Sequence, residues 1–188
     1  MYSNMSELVS VIIPTYNRFK YVLNAIDSVK RQTYPNIEII VVNDNSTQPQ
    51  YREYNWDIRI IHLPQNSKEI FGYACAGFVR NQGIKIANGK YIAFLDDDDI
   101  FFPNKIDLQL KRMNNGNYRI SCSDGLIGNG IYDVQKSYKK YNGEFYFKTL
   151  KNWYNSRSTY FKDDFPDVWD LDFLKYHNCV ITSSVLSR

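Results

Sequence analysis

Four consecutive aspartates, Asp96 to Asp99, follow the apolar run Tyr91 to Leu95 and precede Ile100-Phe101-Phe102-Pro103. Two unit charges roughly 6 Å apart repel by about 0.7 kcal/mol in water, and by more at the lower effective dielectric of a protein surface. Something must offset that repulsion. A hard divalent cation does so through oxygen ligands, commonly one or two carboxylates completed by phosphates and waters. Side chains alternate along an extended segment, which pairs Asp96 with Asp98 and Asp97 with Asp99 unless the chain turns at once. Asp98, deeper in the turn, and Asp96 are therefore the expected metal ligands. A calcium loop starting at Asp96 fits poorly, because Phe101 stands where that loop needs glycine and Asp107 where it needs glutamate. A solvated polar turn is the plainer reading of the same run, so the flanking elements must decide.

Those elements alternate in type. Leu8 to Ile13, closed by Pro14, reads as a strand apolar on both faces. From Phe19 to Gln32 the residues Val22, Leu23, Ile26 and Val29 form the stripe of an amphipathic helix that Pro35 stops. Ile37 to Val42 and Ile58 to Leu63 read as further strands, and Ala74 to Ala87 as a helix stopped by Asn88-Gly89. Tyr91 to Leu95 is the fourth strand; Pro103 opens a helix carrying Ile106, Leu110 and Met113 until Asn115-Gly116. Strand and helix in alternation predict an α/β domain with a mainly parallel sheet flanked by helices. Beyond Tyr118 the pattern weakens. Arg119 to Cys122 offers a short strand, Tyr138 to Phe147 is aromatic and polar, and Asn152 to Phe165 has no clear period; this tail is expected to pack on the same sheet.

In open α/β sheets, ligands bind outside the carboxyl ends of the strands. Three polar clusters fall there: Pro14-Thr15-Tyr16-Asn17-Arg18 after the first strand, Asn43-Asp44-Asn45-Ser46 after the second, and Asp96 to Asp99 after the fourth. Tyr16 offers a flat face for stacking a base, Asp44 an acceptor for a base or ribose donor, and Arg80 a cation for a diphosphate. Each has a bland counterpart: Tyr16 as packing, Asp44 as a turn residue, Arg80 as a solvated or ion-paired helix side chain.

Composition narrows the classes. The 188 residues suffice for one sizeable core, and 44% hydrophobic with 23% charged residues is ordinary for a globular domain. A formal net charge of +3, without a basic stripe, gives no footprint for nucleic acid. Cys75, Cys122 and Cys179 form no disulfide or zinc spacing, which points to a reducing compartment, and no apolar run approaches a membrane span. A cytoplasmic protein is the expectation.

Taken together, SVIIPTYNR (Ser10–Arg18), VVNDNST (Val41–Thr47) and RNQGIKIANGKYIAFLDDDDIFFPNKI (Arg80–Ile106) resemble the family 2 inverting glycosyltransferases of the GT-A fold. Their patterns run roughly SVIIPTYNR, VVDDGSTD and ARNxGxxxAxGxYIxFLDxDDxxxPxKL. The resemblance implies a single Rossmann-like GT-A domain over 1–188, with a nucleotide-sugar-binding part over about 8–115 and an acceptor-side part over about 116–188. It implies that Pro14, Thr15 and Tyr16 line the base, that Asp44 binds uracil or ribose, and that Arg80 lies near the donor. Asn17 and Arg18 complete the first motif. Asp96, Asp97 and Asp98 match the DxD motif, whose last member holds Mn²⁺ or Mg²⁺ against the diphosphate of a nucleotide sugar, a UDP-sugar by expectation. Asn43 replaces the first acid of the second motif, and Asp97 makes the third denser in charge than the family pattern. An inverting transfer needs a base to deprotonate the acceptor hydroxyl. In this family it lies beyond the segment resembled by ThrSerSerValLeu (Thr182–Leu186), so the sequence is expected to be the donor-binding portion of a longer enzyme. Asp167, Asp170 and Asp172 precede that segment and are expected to be structural or surface residues. A non-catalytic sugar-nucleotide-binding module is the alternative of another class. A sugar-phosphate nucleotidyltransferase fits less well, because PTYNR is not a glycine-rich phosphate loop.

Overall fold

A computed structural model describes residues 7–141, 148, 149, 152 and 182–188. Every residue of β1 (Val9–Thr15) is buried, as a strand with apolar side chains on both faces requires. It lies between β2 (Ile37–Asn43) and β4 (Tyr91–Phe94), parallel to both. β3 (Arg59–His62) continues the parallel set beyond β2. Two short strands then join the far edge: β8 (Leu186–Ser187) pairs antiparallel with β4, and β5 (Ile120–Ser121) antiparallel with β8. The sheet order is β3-β2-β1-β4-β8-β5. The fold is thus the mixed α/β architecture with a mainly parallel sheet, and the chain's last residues do pack on it. A separate two-stranded ribbon pairs β6 (Leu126–Ile127) with β7 (Lys139–Lys140).

Pro14 does not end β1 as expected. It pairs in register with Val42, and β4 has already stopped opposite Ile12, so no ladder position there demands the N–H that proline lacks. Helix α1 (Phe19–Lys30) buries Val22, Ala25, Ile26 and Val29 against one face of the sheet. Helix α5 (Lys105–Gly116) adds Ile106, Leu110 and Met113 to the same core, and Asn117 ends it in the left-handed conformation. The opposite face takes α4 (Ala76–Ile84), where Val79 joins Ile12, Ile40 and Val42.

Helix α4 ends three residues before the expected Ala87, and Gly89 has a different task from stopping it. A Cβ at Gly89 would lie 2.6 Å from the backbone N of Ser10, so glycine permits the chain to cross close to β1 before entering β4. The sequence reading also passed over two short helices, α2 (Gln50–Glu53) and α3 (Ser67–Phe71). Asn66 caps α3 by accepting from Lys68 N, and Glu69 follows three residues later, the spacing of a capping box.

Candidate active site

The carboxyl ends of the parallel strands converge on Thr15. Its carbonyl accepts from Asp44 N at 2.9 Å, which ties the loop after β2 to the end of β1. Its hydroxyl donates to Asp97 Oδ2 at 2.8 Å, which ties the loop after β4 to the same residue. Tyr51 Oη lies 2.5 Å from Thr15 Oγ1. Thr15 has one proton and gives it to Asp97, so Tyr51 donates to Thr15, while Arg18 N donates to Tyr51 Oη at 3.2 Å. Tyr51 is fully buried, its ring stacked on Trp56 and edge-on to Phe19. Nothing in the local pattern around Tyr51 marked it, because its partners are supplied by packing from other elements.

The aspartate run turns at once, with Asp99 N donating to Asp96 O at 3.0 Å, and the extended alternation does not persist. Asp97 and its neighbour Asp98 share one arginine: Arg18 Nη1 lies 3.2 Å from Asp97 Oδ1 and 2.5 Å from Asp98 Oδ2. Asp96 instead pairs with Arg80 from α4. Asp99 accepts from Ser183 Oγ at 2.6 Å, and the same oxygen accepts from Asp96 N at 2.9 Å. Two arginines and a serine thus offset the repulsion. Asp97 is 6% exposed, and burial pushes its carboxyl up despite the bonds from Thr15 and the charge of Arg18. Burial likewise raises Asp99, against the bond from Ser183.

Asp98 differs from its neighbours in access. Its side chain is 46% exposed, and its ion-pair partner among the described residues, Arg18, is itself half exposed. Among the described residues no three His, Cys, Asp or Glu side chains group into a metal cage. A Mg²⁺-type site does not require one, since phosphates and waters supply the remaining oxygens. The accessible Asp98 carboxylate and the second oxygen of Asp96 fit that kind of donor set.

Asn17 shapes the first loop. It adopts φ 52°, and its side-chain oxygen accepts from Thr47 N at 2.8 Å, joining the loops after β1 and β2. Tyr16, beside it, is 45% exposed. Asp44 is buried and well supplied with donors: Ser67 N at 2.8 Å, Ser67 Oγ at 2.7 Å and Asn66 Nδ2 at 3.2 Å. Its carboxylate holds the start of α3 against the end of β2. Asn43 Oδ1 accepts from Ser46 N, and its Nδ2 donates to His62 Nδ1 at 2.9 Å. Sequence reasoning missed Asn66 and Ser67 and met Ser183 only as part of the Thr182–Leu186 resemblance, with no role assigned to it; Asn66 carried a local signal, its capping-box spacing. Asp167, Asp170, Asp172 and Cys179 lie outside the described residues.

A fold with a mainly parallel sheet and polar loops gathered at its carboxyl edge matches a known class. The profile of glycosyl transferase family 2 matches residues 10–188. The chain belongs to that family. It is 46% identical over 113 residues to a Rickettsia bellii glycosyltransferase, covering 60% of this chain and 16% of that one. It is 35% identical over 141 residues to the Escherichia coli UDP-Glc:alpha-D-GlcNAc-diphosphoundecaprenol beta-1,3-glucosyltransferase WfgD, covering 71% of this chain and 54% of that enzyme. Among solved structures, S. aureus TarS 1-349 in complex with UDP superposes with a TM-score of 0.52 at 26% identity, over 66% of this chain and 38% of that one. The chain therefore spans little more than half, or less, of the relatives it matches.

Proposed function

We propose that this chain binds a nucleotide diphosphate sugar, a UDP-sugar by preference, at the carboxyl edge of the sheet and serves its transfer to an acceptor hydroxyl with inversion. The observation that carries the reading is the convergence on Thr15 of the loops after β1, β2 and β4. A related structure of S. aureus TarS holds UDP-GlcNAc, which supports the choice of donor. Pro14, Thr15 and Tyr16 line the base, with the open ring of Tyr16 stacking on it. Asp44 helps form the uracil or ribose pocket through the turn it fixes, and Arg80 and Arg18 face the diphosphate. Asp98 and Asp96 would hold Mn²⁺ or Mg²⁺, which supplies charge neutralisation for the departing nucleoside diphosphate. Arg18 then moves from Asp98 toward the phosphates, an exchange of one carboxylate partner for another anion. A reducing, cytoplasmic location accords with Cys75 and Cys122 as free thiols. Among the described residues no helix is long and apolar enough to cross a membrane.

Thermal shift and calorimetry with UDP and UDP-sugars test the reading. With Mn²⁺ present, ligand at 100 times Kd stabilises the wild type by about 2.7 kcal/mol. Asp98→Ala is expected to lose at least tenfold in affinity and to make it insensitive to the metal. Absence of UDP binding by the wild type, or unchanged metal-dependent binding by Asp98→Ala, overturns the reading.

A further inference from the structure

A cavity of about 310 Å³ is lined by the acidic turn, the start of α5 and the segment that carries β6. Its wall is mostly apolar and includes a chain of rings: Phe102 meets Tyr132 edge-on at 5.9 Å, and Tyr132 stacks on Tyr138 at 5.2 Å. The carboxylates at its edge are already engaged. Asp98 pairs with Arg18, Asp99 accepts from Ser183 Oγ, and Asp124 lies 3.1 Å from Lys140 Nζ.

Lys105 lines the same cavity and is held differently. Its Nζ donates to Gln109 Oε1 at 2.6 Å and to Ser184 O at 3.4 Å, and stands 4.1 Å from the Phe101 ring centre. All three partners are neutral. Burial lowers the amine to about 7, with the neighbouring Cys122 acting in the opposite sense. Burial also pushes the Cys122 thiol up, so at neutral pH it faces the amine without charge. An amine desolvated among apolar groups is a nucleophile toward carbonyl carbon.

An aldehyde is the electrophile that suits this cavity. It carries no charge, and its capture needs no oxidant or reductant. The Nζ lone pair bonds to the carbonyl carbon, the π electrons pass to oxygen with a proton, and the carbinolamine loses water to leave a C=N bond. Protonated, that product keeps a cation beside the Phe101 ring. An aryl body finds further rings on which to pack.

We propose that Lys105 and the ring-lined cavity form a covalent capture site for small aromatic aldehydes, the aryl group packing on Phe102 and Tyr132 and the carbonyl carbon bonding to Nζ. The site is independent of nucleotide binding, and its test uses no nucleotide.

Cyanoborohydride trapping on the full chain, followed by peptide mass spectrometry, provides that test with benzaldehyde and propanal as probes. Exposed Lys85 is the internal control, because it too donates to a glutamine amide, Gln82 Oε1 at 3.2 Å. At pH 7 about half of Lys105 is neutral, against roughly one in 2,500 of a side chain titrating near 10.4. Lower basicity also lowers intrinsic nucleophilicity, so Lys105 is expected to be trapped by benzaldehyde about tenfold faster than Lys85, or more. The ratio of the two rates cancels the reagent's own pH dependence and should fall about tenfold or more between about pH 7 and 10, as Lys85 becomes neutral. Relative to Lys85, Lys105 should prefer benzaldehyde over propanal several-fold. Phe102→Ala and Tyr132→Ala, at partly exposed positions, should each reduce that preference. In the urea-unfolded chain the two lysines should react alike. The proposal is overturned by equal trapping of the two lysines in the folded chain, by a ratio constant with pH, by no preference for the aryl probe, by indifference to both aromatic variants, or by a difference that survives unfolding.

Discussion

Asn43 stands where the family pattern has an acid, and it donates to His62 Nδ1. Burial, with the charge of Arg52, holds His62 below its ordinary value. Asn43→Asp keeps an oxygen for Ser46 N but replaces the donor with a carboxylate, which favours imidazolium. His62 should then titrate higher than in the wild type, and NMR of the imidazole resonances through pH 5 to 8 checks it; an unmoved titration rejects the contact. Thr15→Val addresses the other polar centre. It removes the donor to buried Asp97 and the acceptor for Tyr51, so a loss of about 1–3 kcal/mol in urea unfolding is expected.

Helix α4 approaches the sheet at a glycine. A Cβ at Gly83 would lie 2.6 Å from Ile12 Cγ2 and 3.1 Å from Val42 Cγ2, both on buried core residues. Gly83→Ala should therefore destabilise by about 1–3 kcal/mol through overpacking, even though alanine is the better helix former. Equilibrium unfolding decides between the two effects. At the start of α5, burial lowers Lys105 to about 7, with Cys122 acting weakly in the opposite sense. The unfolded side chain titrates near about 10.4, so between about pH 7 and 10 the unfolded chain binds the extra proton and stability rises with pH. Lys105→Met should flatten that rise in thermal melts taken across the window. A parallel slope in the two proteins contradicts the burial.

Ser183 shows how the whole molecule completes the site. It is 87 residues from Asp96, yet its hydroxyl accepts from Asp96 N and donates to Asp99. Ser183→Ala should loosen the aspartate turn at a cost of about 1–3 kcal/mol, and should weaken Mn²⁺-dependent UDP binding several-fold in the calorimetric assay. Retained stability and affinity together would show that the turn is held by its arginines alone. Such a contact exists because β8 inserts between β4 and β5, a pairing that local composition does not encode.

Strand and helix identity followed from side-chain period, since β1 and β2 are buried on both faces and the apolar positions of α1 and α5 fall on one side. The three motifs, their order and their common sheet edge were likewise determined by sequence, because parallel strands with helical crossovers bring their carboxyl ends to one side. Tertiary structure alone decided the partners. The aspartates turn instead of alternating, Arg18 and Arg80 divide them, and Asp44 is filled by the start of α3. A sequence specifies which groups carry charge and which segments extend; the distances that set their pairing arise when separate segments pack against one another.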